Sequence, residues 1–453
     1  MIFCNHKDAR ETGLVCEHLL EKREGSEYFK GSQKYHRYFT GKAAKFVLIC
    51  PACAEDGVHH GVTHWRTICH NCVLNISGSQ KICDLGSPEI SISDTGLRLK
   101  HEQHEVRAEM AGFSAIAPLG TTSEGAWITV TSERRLVRIV PTAGKWEEVA
   151  ELAVLPINPE LQISLVASDD GRYVAIVNTY DSKGCVWDME KRSVVLSFDR
   201  KDYYNEHCRY PVAFTKHEGK TLVIYATDWN RLDVLDLETG KPVAERAWEI
   251  YKDVNDDRPA HYLDYFHCGL AVSPNGEWLA DNGWVWHPFG VVSTWSLKKW
   301  LQENPWESED GTSKKYVCDR AYYWDGPMCW VGSEVLAVWG LGDDDYTLVP
   351  GVMLFDVTTG QELKRFAGPL GDSKYEMIEA SETESSIYNA AGTMVFDKYL
   401  FSWMPKKPFS VWDVEDGARL LEVSDYTPMA YHYGTKEFLS VTTEGTLCLS
   451  RVV

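Results

Sequence analysis

The chain has 453 residues, 44% hydrophobic and 25% charged, more than one compact core usually holds, so two domains or one large repeat architecture are expected. Its formal net charge of −20 disfavours broad contact with nucleic acid, because polyanion binding rests on Lys and Arg neutralising phosphates. No apolar stretch approaches the roughly 18 residues that span a bilayer, and the opening MIFCNHKDARETG lacks an apolar run behind a basic patch, so no membrane contact and a cytoplasmic location are expected.

Seven of the thirteen cysteines fall in residues 1–83, and an odd total crowded at one end predicts metal ligation in a reducing compartment. The order is Cys4-x-His6, Cys16-x-His18, Cys50-Pro-Ala-Cys53 and Cys69-His-Asn-Cys72. Cys50, Cys53, Cys69 and Cys72 form a C-x2-C-x15-C-x2-C array, in which tight turns present paired thiolates to a tetrahedral Zn2+. The alternative is a set of buried free thiols. Cys4, His6, Cys16 and His18 are candidates for a second Zn2+, since alternate residues of an extended strand point the same way. Otherwise they belong to a loop with surface histidines. Each site has four protein ligands, the closed arrangement of a structural zinc. His59, His60, His64 and His70 read as hairpin and surface residues, and Cys83 as a linker thiol.

Leu48-Ile49-Cys50-Pro51 reads as a strand entering a knuckle, and Cys69-His70-Asn71-Cys72-Val73-Leu74 as the first turn of a short helix, whose dipole favours a thiolate. Knuckle, hairpin and ligand-bearing helix resemble the treble-clef group over residues 46–78. Four ligand pairs also resemble a RING-like cross-brace module, although the order CH, CH, CC, CC departs from the RING series. What the resemblance implies is a two-zinc architecture; ubiquitin-ligase activity is not carried over with it. Residues 1–85 hold 11 basic and 9 acidic side chains, leaving 35 basic and 57 acidic in the remainder. Any nucleic-acid contact would therefore fall on this module.

From about residue 88 short strand-like segments recur with hairpin signals. A repeated phrase ends a strand at Val186-Trp187-Asp188-Met189, Val234-Leu235-Asp236-Leu237, Thr294-Trp295-Ser296-Leu297, Leu354-Phe355-Asp356-Val357 and Val411-Trp412-Asp413-Val414. Weaker copies are Val137-Arg138-Ile139-Val140 and Cys448-Leu449-Ser450-Arg451, giving seven in all. Three copies run on into Glu238-Thr239-Gly240, Thr358-Thr359-Gly360 and Glu415-Asp416-Gly417, where glycine supplies a positive φ. Upstream markers such as Ser168-Asp169-Asp170-Gly171 and Ser273-Pro274-Asn275-Gly276 add a second turn, so each unit should carry four strands. Such units resemble WD40-like propeller blades over residues 88–453. The Gly-His dipeptide typical of those repeats is missing, and Trp-Asp survives only at Trp187-Asp188 and Trp412-Asp413. The last unit lacks an outer strand, and the segment Glu89 to Leu99 is expected to supply it and close the ring.

Enzyme signatures are near misses. His101-Glu102-Gln103-His104 is one residue short of a helical zincin motif and lies in a strand-like stretch. Gly340-Leu341-Gly342, Gly144-Lys145 and Gly240-Lys241 lack the further glycines of phosphate loops, and Arg258 replaces the glycine that a calcium loop would need after Asp253-Val254-Asn255-Asp256-Asp257. His207-Cys208 and His267-Cys268 precede innermost strands and could form a Cys/His site at the channel, or else are packed cysteines capped by histidines. Long connections at 248–266, 298–326 and 369–384 should emerge on one propeller face. Trp248, Tyr251, Tyr262, Tyr265, Trp300, Trp306, Tyr316, Tyr322, Tyr323 and Trp324 fall in the first two, either as binding anchors or as packing between insertions.

The expected fold is thus mainly β, a zinc-binding α+β module over residues 1–85 followed by a seven-bladed propeller over 86–453. The expected function is that of a non-enzymatic scaffold binding a protein or peptide, the acidic balance favouring a basic partner. A nucleic-acid binder acting through the zinc module is the alternative, and an accessory protein of a bacterial defence or toxin-control system would also suit the architecture.

Overall fold

The computed structural model describes residues 90–104, 112–121, 123–247, 258–286, 289–342, 348–369, 392–405, 407–442 and 446–453, together with seven short strands between residues 11 and 84. Five of those strands form one sheet in the order Trp65–Cys69, Glu11–Cys16, Val47–Ile49, His36–Tyr38, Cys83–Asp84, and Leu20–Arg23 pairs with Ser26–Phe29 as a hairpin. The strand expected before Cys50 is therefore present. Cys69 closes a strand, where it pairs with Glu11 across the sheet. The stretch 70–82 lies outside the described residues.

The rest forms seven four-stranded antiparallel sheets, the blades of a β-propeller. Blade 2 consists of Ile163–Ala167, Tyr173–Asn178, Lys183–Asp188 and Ser193–Asp199, and blade 3 of Val212–His217, Lys220–Asp228, Arg231–Asp236 and Lys241–Val243. Blade 4 consists of Phe266–Val272, Trp278–Val285, Phe289–Ser296 and Lys315–Ala321. Blades 1, 5 and 6 span residues 113–151, 328–367 and 393–423. First strands of successive blades touch from blade 1 to blade 6, and that of blade 7 touches blade 1, so the first strand of each blade is innermost. All seven copies of the repeated phrase lie in or at the end of the third strand of their blade.

Blade 7 is made of Ala430–His432, Glu437–Val441, Leu447–Val452 and, from the other end of the propeller sequence, Leu99–His104. The ring closes as expected, but with a later strand. Residues 91–93 instead run beside the outer strand of blade 6, where Ser91 and Ser93 bond the Arg419 backbone. The HEQH segment is the outermost, largely exposed strand of the closing blade.

Apolar faces of neighbouring blades make the core. Ile128, Val174 and Ile176 join blades 1 and 2, Val186, Leu222 and Trp295 join blades 2 to 4, and Phe401, Phe409 and Phe438 join blades 6 and 7. The turn markers have defined geometry. Ser168 Oγ donates to Asp170 and accepts from the Tyr173 amide, while Gly171 has φ 71°. Ser273, Asn275, Trp278 and Gly276, with φ 73°, repeat the pattern in blade 4. Asp188, Asp236, Asp356 and Asp413 each accept from an amide two residues ahead, closing the turn into the outer strand.

Residues 298–326 are not one inter-blade loop. They hold two short helices, Leu297–Gln302 and Glu307–Asp310, inside blade 4, then its outer strand, then the connection 322–327 to blade 5. Leu297 and Trp300 are buried against Leu232 and Leu237 of blade 3.

Candidate functional site

In an antiparallel blade of four strands, the turn between strands two and three and the connection to the next blade emerge at the same end. The connection 200–211, the turns after Asp228 and Val285, and the connection 322–327 thus share one face over blades 3 to 5. They bring together Tyr203, Tyr204, Trp229, Trp286 and Trp324 above Phe266 and Trp284. Phe266 and Trp284 stack at 4.0 Å and 7°, Trp324 stacks on Trp284 at 5.1 Å, and Tyr203 lies nearly parallel to Phe266 at 5.8 Å. Tyr204 stands perpendicular to both Tyr203 (5.0 Å, 85°) and Trp286 (4.9 Å, 90°). Phe266 and Trp284 are buried, while Tyr203 and Tyr204 are 45% and 40% exposed. Offset and edge-to-face arrangements are the favourable ones for aromatic pairs.

Arg200 builds the loop that carries these tyrosines. Its buried guanidinium donates to the carbonyls of Asp181 (3.1 Å), Asn205 (2.8 Å), Cys208 (2.9 Å) and Arg209 (3.3 Å). Tyr204 has φ 53° and Lys201 φ 65°, and Tyr322 (60°) and Asp325 (55°) in the opposing connection are also left-handed. Such a conformation is costly for a bulky side chain and tends to occur where a surface is shaped for use. Trp324 Nε1 donates to the His207 carbonyl at 2.7 Å, tying the two connections together.

The charges of this face are largely paired. Lys201 meets Asp228. Arg209 Nε donates to Asp325 Oδ1 at 2.8 Å, its amide to Oδ2 at 2.9 Å and its Nη2 to the Asp325 carbonyl at 3.1 Å, linking blade 3 to the start of blade 5. The Asp325 charge holds the guanidinium firmly protonated. This pair lies against Gly269 on the innermost strand of blade 4, where a Cβ would stand 2.9 Å from Arg209 Nη2.

His267 and Cys268 lie within the innermost strand of blade 4, not before it, and with Cys208 they are buried. His267 Nδ1 and Asp281 Oδ2 are 2.5 Å apart, and Asp281 Oδ1 accepts from the Cys268 amide. A hydrogen bond from Cys268 draws the Cys208 thiol below its ordinary value against the effect of burial, with Arg200 assisting, whereas burial pushes Cys268 well above its own. His207 is half-buried beside Glu206. The arrangement is a packed staple between blades 3 and 4, closed to solvent, and among the described residues no group of three or more His, Cys, Asp or Glu is placed to hold a metal.

Of the aromatics singled out in sequence, Tyr265, Trp300, Tyr323 and Trp324 are buried and fill space between elements. Trp306 stacks on His261 at 4.5 Å, and Tyr316 is exposed on the outer strand of blade 4. Trp248 and Tyr251 lie outside the described residues. The exposed pair Tyr203-Tyr204 was not singled out; its signal was two adjacent tyrosines flanked by Asp202 and Glu206 in an inter-blade connection.

Of the eight proposed zinc ligands, Cys4, His6, His18, Cys50, Cys53 and Cys72 lie outside the described residues. Cys16 and Cys69 end strands that pair antiparallel, with Cys16 opposite Trp65 and Cys69 opposite Glu11, so the two stand at opposite ends of the pair. The strand Val47–Ile49 runs parallel to Glu11–Cys16 with Leu48 beside Val15, so it finishes at the Cys16 end.

By sequence the chain matches no protein-family model and no curated protein. Among solved structures it is similar to a chain of the mitotic checkpoint complex, at 12% identity over 82% of this chain and 95% of that one, with a TM-score of 0.45. It is also similar to U3-55K, at 11% identity over 79% and 99% (TM-score 0.48), and to the RRP9 WD40 repeats, at 10% over 81% and 100% (TM-score 0.48). Likeness at this level concerns the strand arrangement alone.

Proposed function

We propose that this chain is a non-enzymatic, cytoplasmic interaction scaffold that docks a protein or peptide on the face bearing Tyr203 and Tyr204. The observation that carries the reading is the exposure of two adjacent tyrosines, one in a left-handed conformation, on a loop fixed from below by the buried Arg200. Exposed aromatic anchors on a rigid support lose little entropy on binding and commonly supply most of the energy of an interface. The 57 acidic against 35 basic residues after position 85 favour a basic partner.

Residues 1–85 form, in this reading, a separate module in which Cys4, His6, Cys16, His18, Cys50, Cys53, Cys69 and Cys72 hold two structural Zn2+ ions and which adds a second docking surface. Metal analysis of the purified chain should find two zinc ions, and Cys50→Ser/Cys53→Ser should retain one. Absence of zinc from wild-type protein purified without chelator would remove the metal from the proposal. The docking reading is tested by capture from the native host followed by mass spectrometry. A specific protein bound by wild type and lost from Tyr203→Ala/Tyr204→Ala supports it; equal capture by both would move binding elsewhere.

A further inference from the structure

We infer that the Tyr203-Tyr204 corner receives an arginine side chain presented by a basic segment of a partner protein; this rests on the docking reading above and names what the face recognises. Tyr203, Tyr204 and Trp286 meet at steep mutual angles, 85° between the tyrosines, 90° between Tyr204 and Trp286, and 73° between Tyr203 and Trp286. Phe266 lies against Tyr203 and His207 against Tyr204, yet the two tyrosines remain substantially exposed and leave ring surface open to solvent. A cation within about 6 Å of such a face is attracted by the ring quadrupole.

The chain's own cations do not occupy these rings. Arg200 lies over Tyr210, Arg246 over Trp306, and Lys314 near Tyr265, Trp295 and Tyr316. Among the described residues no Lys or Arg stands over Tyr203, Tyr204 or Trp286, while the His207 ring stacks on one face of Tyr204 at 5.6 Å and 30°. Lys201, the exposed cation of the loop, is neutralised by Asp228, and Arg209 by Asp325. The loop also offers carboxylates. Asp202 precedes Tyr203 and enters no ion pair among the described residues, and Glu206, also exposed, has His207 3.4 Å away. Aromatic faces beside carboxylates, with the nearby cations already paired, complement a planar guanidinium, which stacks on a ring and forks to an oxygen pair at once. An anionic segment would meet Asp202 and Glu206, and a purely apolar one would bury them without partners.

The test uses the full chain and three probes, octa-arginine, octa-lysine and the neutral isostere octa-citrulline, titrated by calorimetry at about 0.15 M salt, where long-range attraction is largely screened. Octa-arginine should bind at least threefold more tightly than octa-lysine, and octa-citrulline should not bind. Tyr203→Ala/Tyr204→Ala should weaken octa-arginine about tenfold, Tyr203→Phe/Tyr204→Phe should keep it within about twofold, and Asp202→Asn/Glu206→Gln should weaken it severalfold. Matching urea midpoints would show that the variants remain folded. Equal octa-arginine affinity in wild type and Tyr203→Ala/Tyr204→Ala, or octa-lysine as tight as octa-arginine, overturns the inference. If that happens while the alanine pair still abolishes partner capture, the docking reading survives and the arginine is wrong; if the alanine pair captures the partner normally, the docking reading has failed.

Discussion

Arg200 has its donors committed to three carbonyls of its own connection and to that of Asp181 in the neighbouring turn of blade 2, and it packs over Tyr210 at 5.0 Å, so the shape of the Tyr203-Tyr204 loop depends on its planar fork. Lysine would keep the charge but cannot reproduce that fork. Arg200→Lys should weaken partner capture about as much as Tyr203→Ala/Tyr204→Ala, with a urea-derived stability loss of about 1–3 kcal/mol from the orphaned carbonyls. A wild-type capture level would show that the loop holds its form without Arg200. The turn aspartates make a second residue-scale case. For Asp188 and Asp236 burial would raise the carboxyl, but amide and side-chain hydrogen bonds outweigh it; for Asp356 the Thr358 hydroxyl leads in lowering it. All three lie below their ordinary value when folded, so their stabilisation is full above about pH 4 and is lost as pH falls through the folded values. Asp188→Asn/Asp236→Asn/Asp356→Asn should therefore flatten the acid side of a plot of urea midpoint against pH between about 2 and 5. These aspartates were legible in sequence because a turn needs a fixed spacing of acceptor and glycine. Tyr203 and Tyr204 were not, because spacing does not reveal which aromatic is left outside the core.

Blade 3 shows how one element's shortage is met by another. Its outer strand has three residues, Lys241–Val243, and pairs only with Val234–Asp236, so the start of the third strand, paired with the second strand on its inner side, has no strand on its outer side among the described residues. Arg246 Nη2 supplies the missing donor to the Leu232 carbonyl at 2.8 Å and meets Glu309 of the blade 4 insertion at 2.5 Å. The insertion is thereby a cover for a sheet edge. Sequence located the long segment but not the strand within it, since Lys315–Ala321 follows two short helices and carries no turn marker of the repeated type. Lys314 completes the cover, donating to the carbonyls of Ser308 (2.7 Å) and Glu309 (3.1 Å), near the rings of Tyr265, Trp295 and Tyr316. Burial pulls its ammonium down to about 8, against the opposing charges of Glu309, Asp281 and Asp310. Between that value and the ordinary lysine range near 10.4 the unfolded chain binds the extra proton, so stability from this group rises with pH. Urea midpoints should climb from about pH 8 to 10 in wild type and stay level in Lys314→Met; an equal climb in both would assign it to another group.

At the scale of the whole molecule, the seven repeated phrases sufficed to count the blades, since each marks a third strand, but the N-terminal sheet has no such repeat to be read by. Closure was foreseen because the last unit was one strand short, and its register was missed because Glu89 to Leu99 and Leu99–His104 both read as extended. The register is fixed by two reciprocal bonds, Arg98 amide to Val453 carbonyl at 3.0 Å and Val453 amide to Arg98 carbonyl at 2.9 Å. In an antiparallel pair bonded and non-bonded positions alternate, so Gln103 and Cys448, five residues further along, face each other at a non-bonded position. Cα atoms there are about 4.5 Å apart, at the short end of the range a disulfide spans. Gln103→Cys should therefore form a bridge with the native Cys448 under mild oxidation, joining the two ends of the propeller sequence. A crosslink over so long a loop should add about 2–4 kcal/mol of stability, reversed by reductant. If this closure is where the ring opens, the bridged protein should also unfold more slowly. Failure of the bridge to form in folded protein would mean that Leu99–His104 does not occupy this register.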